Sequence, residues 1–305
     1  MDALRLVVFA CLLCLPIAMA WAAGREVRQP VIAGTWYQGT REGLARQVDG
    51  FLARVPRIEA PGRVVAIISP HAGFVYSGQT AAHGYSLLRE QKAHRVILMG
   101  PSHREPLRGA SIPVADAFLT PLGEVPLDRE VCDALVKSGA FAKDLHNQRE
   151  EHSLEIQLPF LQRVLGEFLL VPIMVGTIHR SDAARFADAL RAYLDETTVL
   201  VASSDFTHYG RGYGYVPFTR NVAENLSILD GGAIERILAR DANGFADYVE
   251  QTGTTICGAL PIEILVRCLP DRAEGRQLHY SRSADTTGDY SMSVSYVSIA
   301  FFVRE

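Results

Sequence analysis

The chain has no basic stripe and no excess of cations. Its 30 Lys and Arg stand against 34 Asp and Glu, a formal net charge of −4, and the cations are scattered along the sequence. A nucleic-acid partner needs a concentrated positive footprint, so that class is set aside in favour of a small molecule or a peptide. Internal repeats, low-complexity tracts and Pro- or Gly-rich linkers are absent too. With 48% hydrophobic and 21% charged residues over 305 positions, disorder is excluded and one large core can form. Beyond the N-terminus no run of about 18 apolar residues occurs, so no later segment reads as a membrane span.

The first 23 residues differ from the rest. Arg5 gives a minimal positive start, Leu6 to Ala18 is an apolar block, and AMAWAA offers small-residue cleavage sites after Ala20, Ala22 or Ala23. This reads as an export signal over residues 1–23, followed by a single α/β domain over 24–305 that works outside the cytoplasm, in the periplasm. The alternative is an uncleaved anchor, because the 18 apolar or small residues from Leu6 to Ala23 just suffice to span a bilayer core. No lipobox precedes Cys11 or Cys14. Cleavage removes both and leaves Cys132, Cys257 and Cys268, an odd count that leaves at least one thiol unpaired in an oxidising compartment. A Cys132–Cys268 disulfide is compatible with that count, with Cys257 as the odd thiol.

What is present is a repeated design. The near-continuous apolar run from Val64 to Ser69 describes a strand buried on both faces, and it stops at Pro70 followed at once by His71. RVILMGPSH delivers His103 in the same way, and TVLVASSDFTH delivers Asp205 and His208. Ligands bind beyond the carboxyl ends of the strands of open α/β sheets, so these endings are expected to converge. Two imidazoles and a carboxylate suggest a metal; each His alone is more often a hydrogen-bonded loop residue than a ligand, and it is the three together that favour function. The alternation of strands with helices, among them one capped by Thr40, one over about Gln79–Arg89 and one over Ser181–Leu194, implies right-handed crossovers and a largely parallel sheet. A hairpin is expected around Phe118–Val125, and two alternating strands close the chain.

HNQREEHSLEIQLPFLQRVL, from His146, is the densest polar cluster. If Glu151 to Leu158 is helical, His152 and Glu155 share a face at i,i+3 and Glu151 and Glu155 at i,i+4. Such a face serves the pocket as a supporting or acid–base pair, or it faces solvent. Cys257 stands just ahead of a helix beginning near Gly258 or Ala259, where the helix dipole favours a thiolate. That suits a metal ligand or a nucleophile; a buried, inert Cys is the alternative. Tyr209, Tyr213 and Tyr215 rim a pocket or simply pack.

PHAGFVYSG, GPSH, EHSLEIQLP, SSDFTHYG and TICGALPI, in that order, resemble the Memo family, also labelled AmmeMemoRadiSam system protein B, over nearly all of residues 29–303. The resemblance implies a three-layer αβα fold akin to the class III extradiol dioxygenases, with helices on both faces of a central, mostly parallel sheet. It also implies a metal site formed by His71, His103 and Cys257; from their placement, Asp205, His208, His152 and Glu155 are expected to support that site or to exchange protons with substrate. Those dioxygenases use two His and a carboxylate, so a thiol in third position means their activity is not inherited. Soft sulfur tilts the site toward copper, while imidazole also accepts iron or zinc. Three functions follow: a redox enzyme acting at an open iron or copper site, a metal-free hydrolase with Cys257 attacking and His208 or His103 as base oriented by Asp205, and a non-catalytic module binding a peptide or storing metal. Many family members are intracellular, which the export segment here sets apart.

Overall fold

The structure, a computed structural model, describes residues 25–144 and 149–304. The expected export segment, with Cys11 and Cys14, lies outside the described residues, as does His146. Among the described residues no helix is long and apolar enough to cross a membrane.

The lead-in supplies β1 (Val27–Arg28) and ends at α1 (Arg41–Ala53), where the Thr40 hydroxyl accepts from Gly43 N at 3.2 Å and Leu44, Val48 and Leu52 form the buried face. There follow β2 (Arg63–Ser69), α2 (Phe74–Ser86), β3 (Arg95–Pro101), β4 (Ala110–Pro113), β5 (Ala117–Thr120), β6 (Gly123–Pro126), α3 (Arg129–Lys137), β7 (Ala142–Asp144), α4 (Leu158–Leu165) and β8 (Leu169–Val175). The second half holds α5 (Arg180–Arg191), β9 (Thr198–Ser203), β10 (His208–Gly210), α6 (Val222–Leu238), α7 (Ala242–Thr252), α8 (Ala259–Cys268), β11 (Glu274–Arg282), α9 (Ser283–Thr287) and β12 (Met292–Val303).

The main sheet runs β10-β12-β2-β9-β3-β8-β4-β7, with β11 also paired to β12. Its four central strands, β2, β9, β3 and β8, are parallel, and their side chains are almost all buried, as their unbroken apolar runs require. Antiparallel pairs, β12 on β2 and β4 on β8, extend it on either side. Helices α1, α2 and α4 pack together, and α5 to α8 form a second contiguous group, so the architecture is α/β with helices layered about a central sheet. β5 and β6 form the expected hairpin and make a small sheet with β1.

Register brings the functional ends together. Ser69 of β2 pairs with Ser203 of β9, and Ala202 of β9 pairs with Met99 of β3. His71 and Asp205 therefore leave the sheet side by side, and His103 follows just past the end of β3.

Several local expectations are corrected. α2 starts at Phe74 rather than near Gln79, because Gly73 already serves as its N-cap. The helical stretch from Asn221 divides into α6 and α7 at Arg240, with φ of 60°, and Asp241 caps the second half by accepting from Gly244 N at 2.8 Å. Glu151 to Leu158 is not one helix: a turn leads into a short 3-10 segment, Glu155–Gln157, before α4. Cys132 and Cys268 are free, buried thiols on different helices, and Cys268 Sγ lies 3.7 Å from Ala187 O, so the disulfide is not formed.

Candidate metal centre

Two strand ends and one helix start meet at the carboxyl edge of the sheet. One ligand atom from each of His71, His103 and Cys257 lies within 4.8 Å of the others. The closest pair is Cys257 Sγ and His71 Nε2 at 3.1 Å. His152 completes a nest of three imidazoles, stacked on His103 at 4.7 Å between centroids and edge-on to His71 at 5.6 Å.

Hydrogen bonds fix which nitrogen of His71 is free. Gln157 Nε2 donates to Pro70 O at 3.0 Å and to Ser203 Oγ at 2.7 Å, while Tyr85 OH donates to Gln157 Oε1 at 2.7 Å. Ser203 Oγ spends its own proton on Ser153 O at 2.6 Å, so it can only accept from His71 Nδ1, 3.0 Å away. His71 is thus the Nδ1–H tautomer, and its Nε2 lone pair points at Cys257. Burial, with the neighbouring His103 and His152 adding, keeps His71 well below its ordinary range and therefore neutral.

Glu151 does the same for His103. It accepts from His103 Nδ1 at 2.9 Å and from the backbone of His103 at 2.6 Å, and from His152 N and Ser153 N at 3.0 Å each. Burial opposes its charge, but the bonds from His103 outweigh it and hold the carboxyl well below the usual range. With Nδ1 tied to a carboxylate, Nε2 of His103 is the free ligand atom. His152 Nδ1, although 3.2 Å from Glu151 Oε1, lacks hydrogen-bond geometry and is a buried polar atom without a partner. Burial, aided by His103 and Arg104 and opposed by Glu151, lowers His152 to about 4.

Two glycines allow these approaches. A Cβ on Gly258 would stand 2.4 Å from Ser204 Cβ and 2.6 Å from Ser203 O, so only glycine lets the Cys257 turn press against the end of β9. A Cβ on Gly100 would stand 2.7 Å from Ser153 Oγ and 2.8 Å from Leu154 Cδ2, where β3 meets the segment carrying Glu151.

The Memo-like protein family model matches residues 28–300. The chain belongs to the Memo family. The memo-1 homolog of Caenorhabditis elegans is 32% identical over 297 residues, covering 92% of this chain and 84% of that protein. MEMO1 of Mus musculus and of Homo sapiens are each 31% identical over 292 residues, covering 91% of this chain and 98% of theirs. A crystal structure of an uncharacterized Escherichia coli K12 protein shares the fold, with a TM-score of 0.50 at 15% identity over 77% of this chain and 99% of that one.

In this Memo-family chain a cavity of about 760 Å³ opens beside the cluster, lined by His71, His103, His152, Asp205 and His208 on its inner side. Asp205 Oδ1 accepts from His71 N at 2.7 Å and Ala72 N at 3.3 Å, leaving Oδ2 4.0 Å from His71 Nε2. Burial pushes the Asp205 carboxyl up, against the pull of His208 and those backbone donors. His208 Nδ1 faces Phe206 O at 2.9 Å and Thr255 O at 3.1 Å, both acceptors, so Nδ1 carries a proton and Nε2 is left to the cavity. Of the three loop tyrosines only Tyr213 lines the cavity; Tyr209 and Tyr215 donate to Phe218 O and Thr252 O and pack.

Glu155 belongs elsewhere. Because the chain turns after Glu151 instead of continuing as helix, Glu155 points into the lead-in: it accepts from Arg28 Nη1 at 2.8 Å, Val31 N at 2.9 Å, Ile32 N at 3.1 Å and Tyr37 OH at 2.7 Å. It anchors the segment that lays Trp36 on His152 at 4.5 Å, and it exchanges no proton in the cavity. Of the two carboxylates in this motif, the one at the cluster is Glu151. A free thiolate at Cys257 is also corrected: burial first, then Asp205, push the thiol well above its ordinary range, outweighing the helix start. Its imidazole partner is His71, not the His208 or His103 expected of a hydrolase base. Sequence patterning missed Ser203, whose only signal is its position at the end of β9, and Gln157 and Tyr85, which lie on the 3-10 segment and near the end of α2 with no signal of their own.

Proposed function

We propose that this chain binds one transition-metal ion through His71, His103 and Cys257 and uses it for redox chemistry on a small molecule. The observation that carries this reading is the pairing of Cys257 Sγ with an Nε2 lone pair whose opposite ring nitrogen is already committed. A nitrogen–nitrogen–sulfur donor set suits copper, iron and zinc, and three protein ligands beside an open cavity leave positions for substrate. A bound iron or copper ion would supply one-electron chemistry. Binding requires Cys257 to give up its proton, which the coordinated state alone makes favourable here. Glu151 and Ser203 hold the two imidazoles in the ligating tautomer. Asp205 and His208 face the same space, His208 Nε2 as proton acceptor and Asp205 Oδ2 as a carboxyl whose burial favours carrying a proton.

The peptide-binding or metal-storing alternative draws on the aromatic mouth of the cavity and needs no turnover. Oxygen uptake separates the two: protein loaded with iron(II) or copper should consume oxygen with a reduced small-molecule donor faster than the same free ion, and a rate equal to the free ion would reject the enzyme reading. The export reading rests on residues 1–23 and places this chemistry outside the cytoplasm; mass spectrometry of the recovered N-terminus tests it, an intact Met1 on cytosolic protein being the contrary result.

A further inference from the structure

Among the described residues, half of the exposed large hydrophobics gather at one place. Val75, Tyr76, Tyr213 and Met292, exposed by 69%, 42%, 42% and 51%, are four of the eight large hydrophobics that face solvent among the described residues, and all four line the cavity beside the metal cluster. Large apolar side chains gathered at one concave mouth mark a binding site for an apolar body. Two tyrosines among them, Tyr76 and Tyr213, favour a flat one, since aromatic rings pair best by offset or edge contact.

Arg104, next to His103, is the one Lys or Arg lining the cavity, and among the described residues it has no carboxylate partner. The two acids that line the cavity are each partly engaged, and neither pairs with Arg104: Asp205 Oδ1 accepts the backbone N–H groups of His71 and Ala72, and Asp289 Oδ1 accepts from Ser291 N at 2.8 Å and Ser291 Oγ at 2.6 Å. An anion entering the cavity would therefore find a guanidinium that no carboxylate of the lining has taken up. One guanidinium matches one carboxylate through two parallel hydrogen bonds; a phosphate dianion is better served by several cations, which this cavity does not offer.

We propose that the cavity binds a small aromatic carboxylate, its ring held by the tyrosine and methionine walls and its carboxylate paired with Arg104, which is the specificity-determining residue of the site. This rests on the cavity beside the centre described above and names its substrate class, but it does not require metal to be bound. The test is isothermal titration of the full chain, freed of metal by chelation, with biphenyl-4-acetate, its primary amide and biphenyl-4-yl phosphate. The carboxylate should bind about tenfold more tightly than the amide, the scale of one charge-assisted pair, and at least as tightly as the phosphate. Arg104→Gln, an exposed position, should bring the carboxylate down to the amide's affinity and leave the amide unchanged; Tyr213→Ala should weaken both alike. Absence of saturable binding, equal binding of acid and amide, tighter binding of the phosphate, or a preference that survives Arg104→Gln would each overturn the proposal. Because the titrations are done without metal, failure of the metal reading shows up only in metal analysis and leaves these outcomes distinct.

Discussion

Glu151 and Glu155 are buried carboxylates four residues apart, each surrounded by donors, yet they govern different regions. Glu151 gathers His103, His152 and Ser153 and faces the cluster; Glu155 gathers Arg28, Val31, Ile32 and Tyr37 and faces the lead-in. The difference lies in the backbone between them, a turn into a 3-10 segment that gives the two carboxylates different partners. One motif thereby does two tasks, orienting His103 and fastening the N-terminal segment that lays Trp36 on His152.

The comparison can be broken by exchanging one oxygen at a time. Glu155→Gln should cost the larger stability, on the order of 3 kcal/mol in urea unfolding, because a buried ion pair and several charge-assisted bonds weaken together. Metal content per folded chain should be unchanged; parallel loss of metal would merge the two roles. Glu151→Gln should do the reverse, lowering metal affinity about 10- to 100-fold, as loss of a ligand-orienting carboxylate does, with a smaller change in stability. A Ser203→Ala change should lower affinity by roughly tenfold, since it removes the acceptor that selects the His71 tautomer without removing a charge. The smallest effect is expected far from both carboxylates, at His83 and His279, which stack at 4.2 Å. Burial lowers both, and His83 also pushes His279 down. The unfolded chain therefore takes up protons first as pH falls below about 6.5, and stability is lost through that window. Urea unfolding at two pH values should show a shallower loss for His279→Gln; an unchanged slope would remove the pair from the acid response.

The parallel core was legible because strands buried on both faces leave unbroken apolar runs, and the polar residue after each run marked the edge where the site forms. His71, His103, Asp205 and His208 follow from that rule, and register does the rest. The assignment of Glu155 did not survive, because i,i+3 and i,i+4 spacing carries meaning only on a helix, and here the helix starts later at Leu158. Its true partner, Arg28, is 127 residues away, a distance no local pattern reports. Ser203 was invisible for another reason: a serine hydroxyl has many uses, and its role as acceptor emerges only when Gln157 and Ser153 are seen to occupy its other positions. The thiol of Cys257 shows burial prevailing over a helix start, which sequence alone weighs the other way.

The central claim is that His71, His103 and Cys257 together hold one metal ion. Protein loaded with iron(II) or copper, dialysed and analysed by mass spectrometry for bound metal, tests it most directly, with Glu155→Gln as the control for a general structural change. The expected result is one ion per chain in the wild type and in Glu155→Gln, and loss of that ion in both Cys257→Ala and the His71→Ala/His103→Ala pair, each with wild-type circular dichroism. Equal metal content in the wild type and in those folded variants would contradict it.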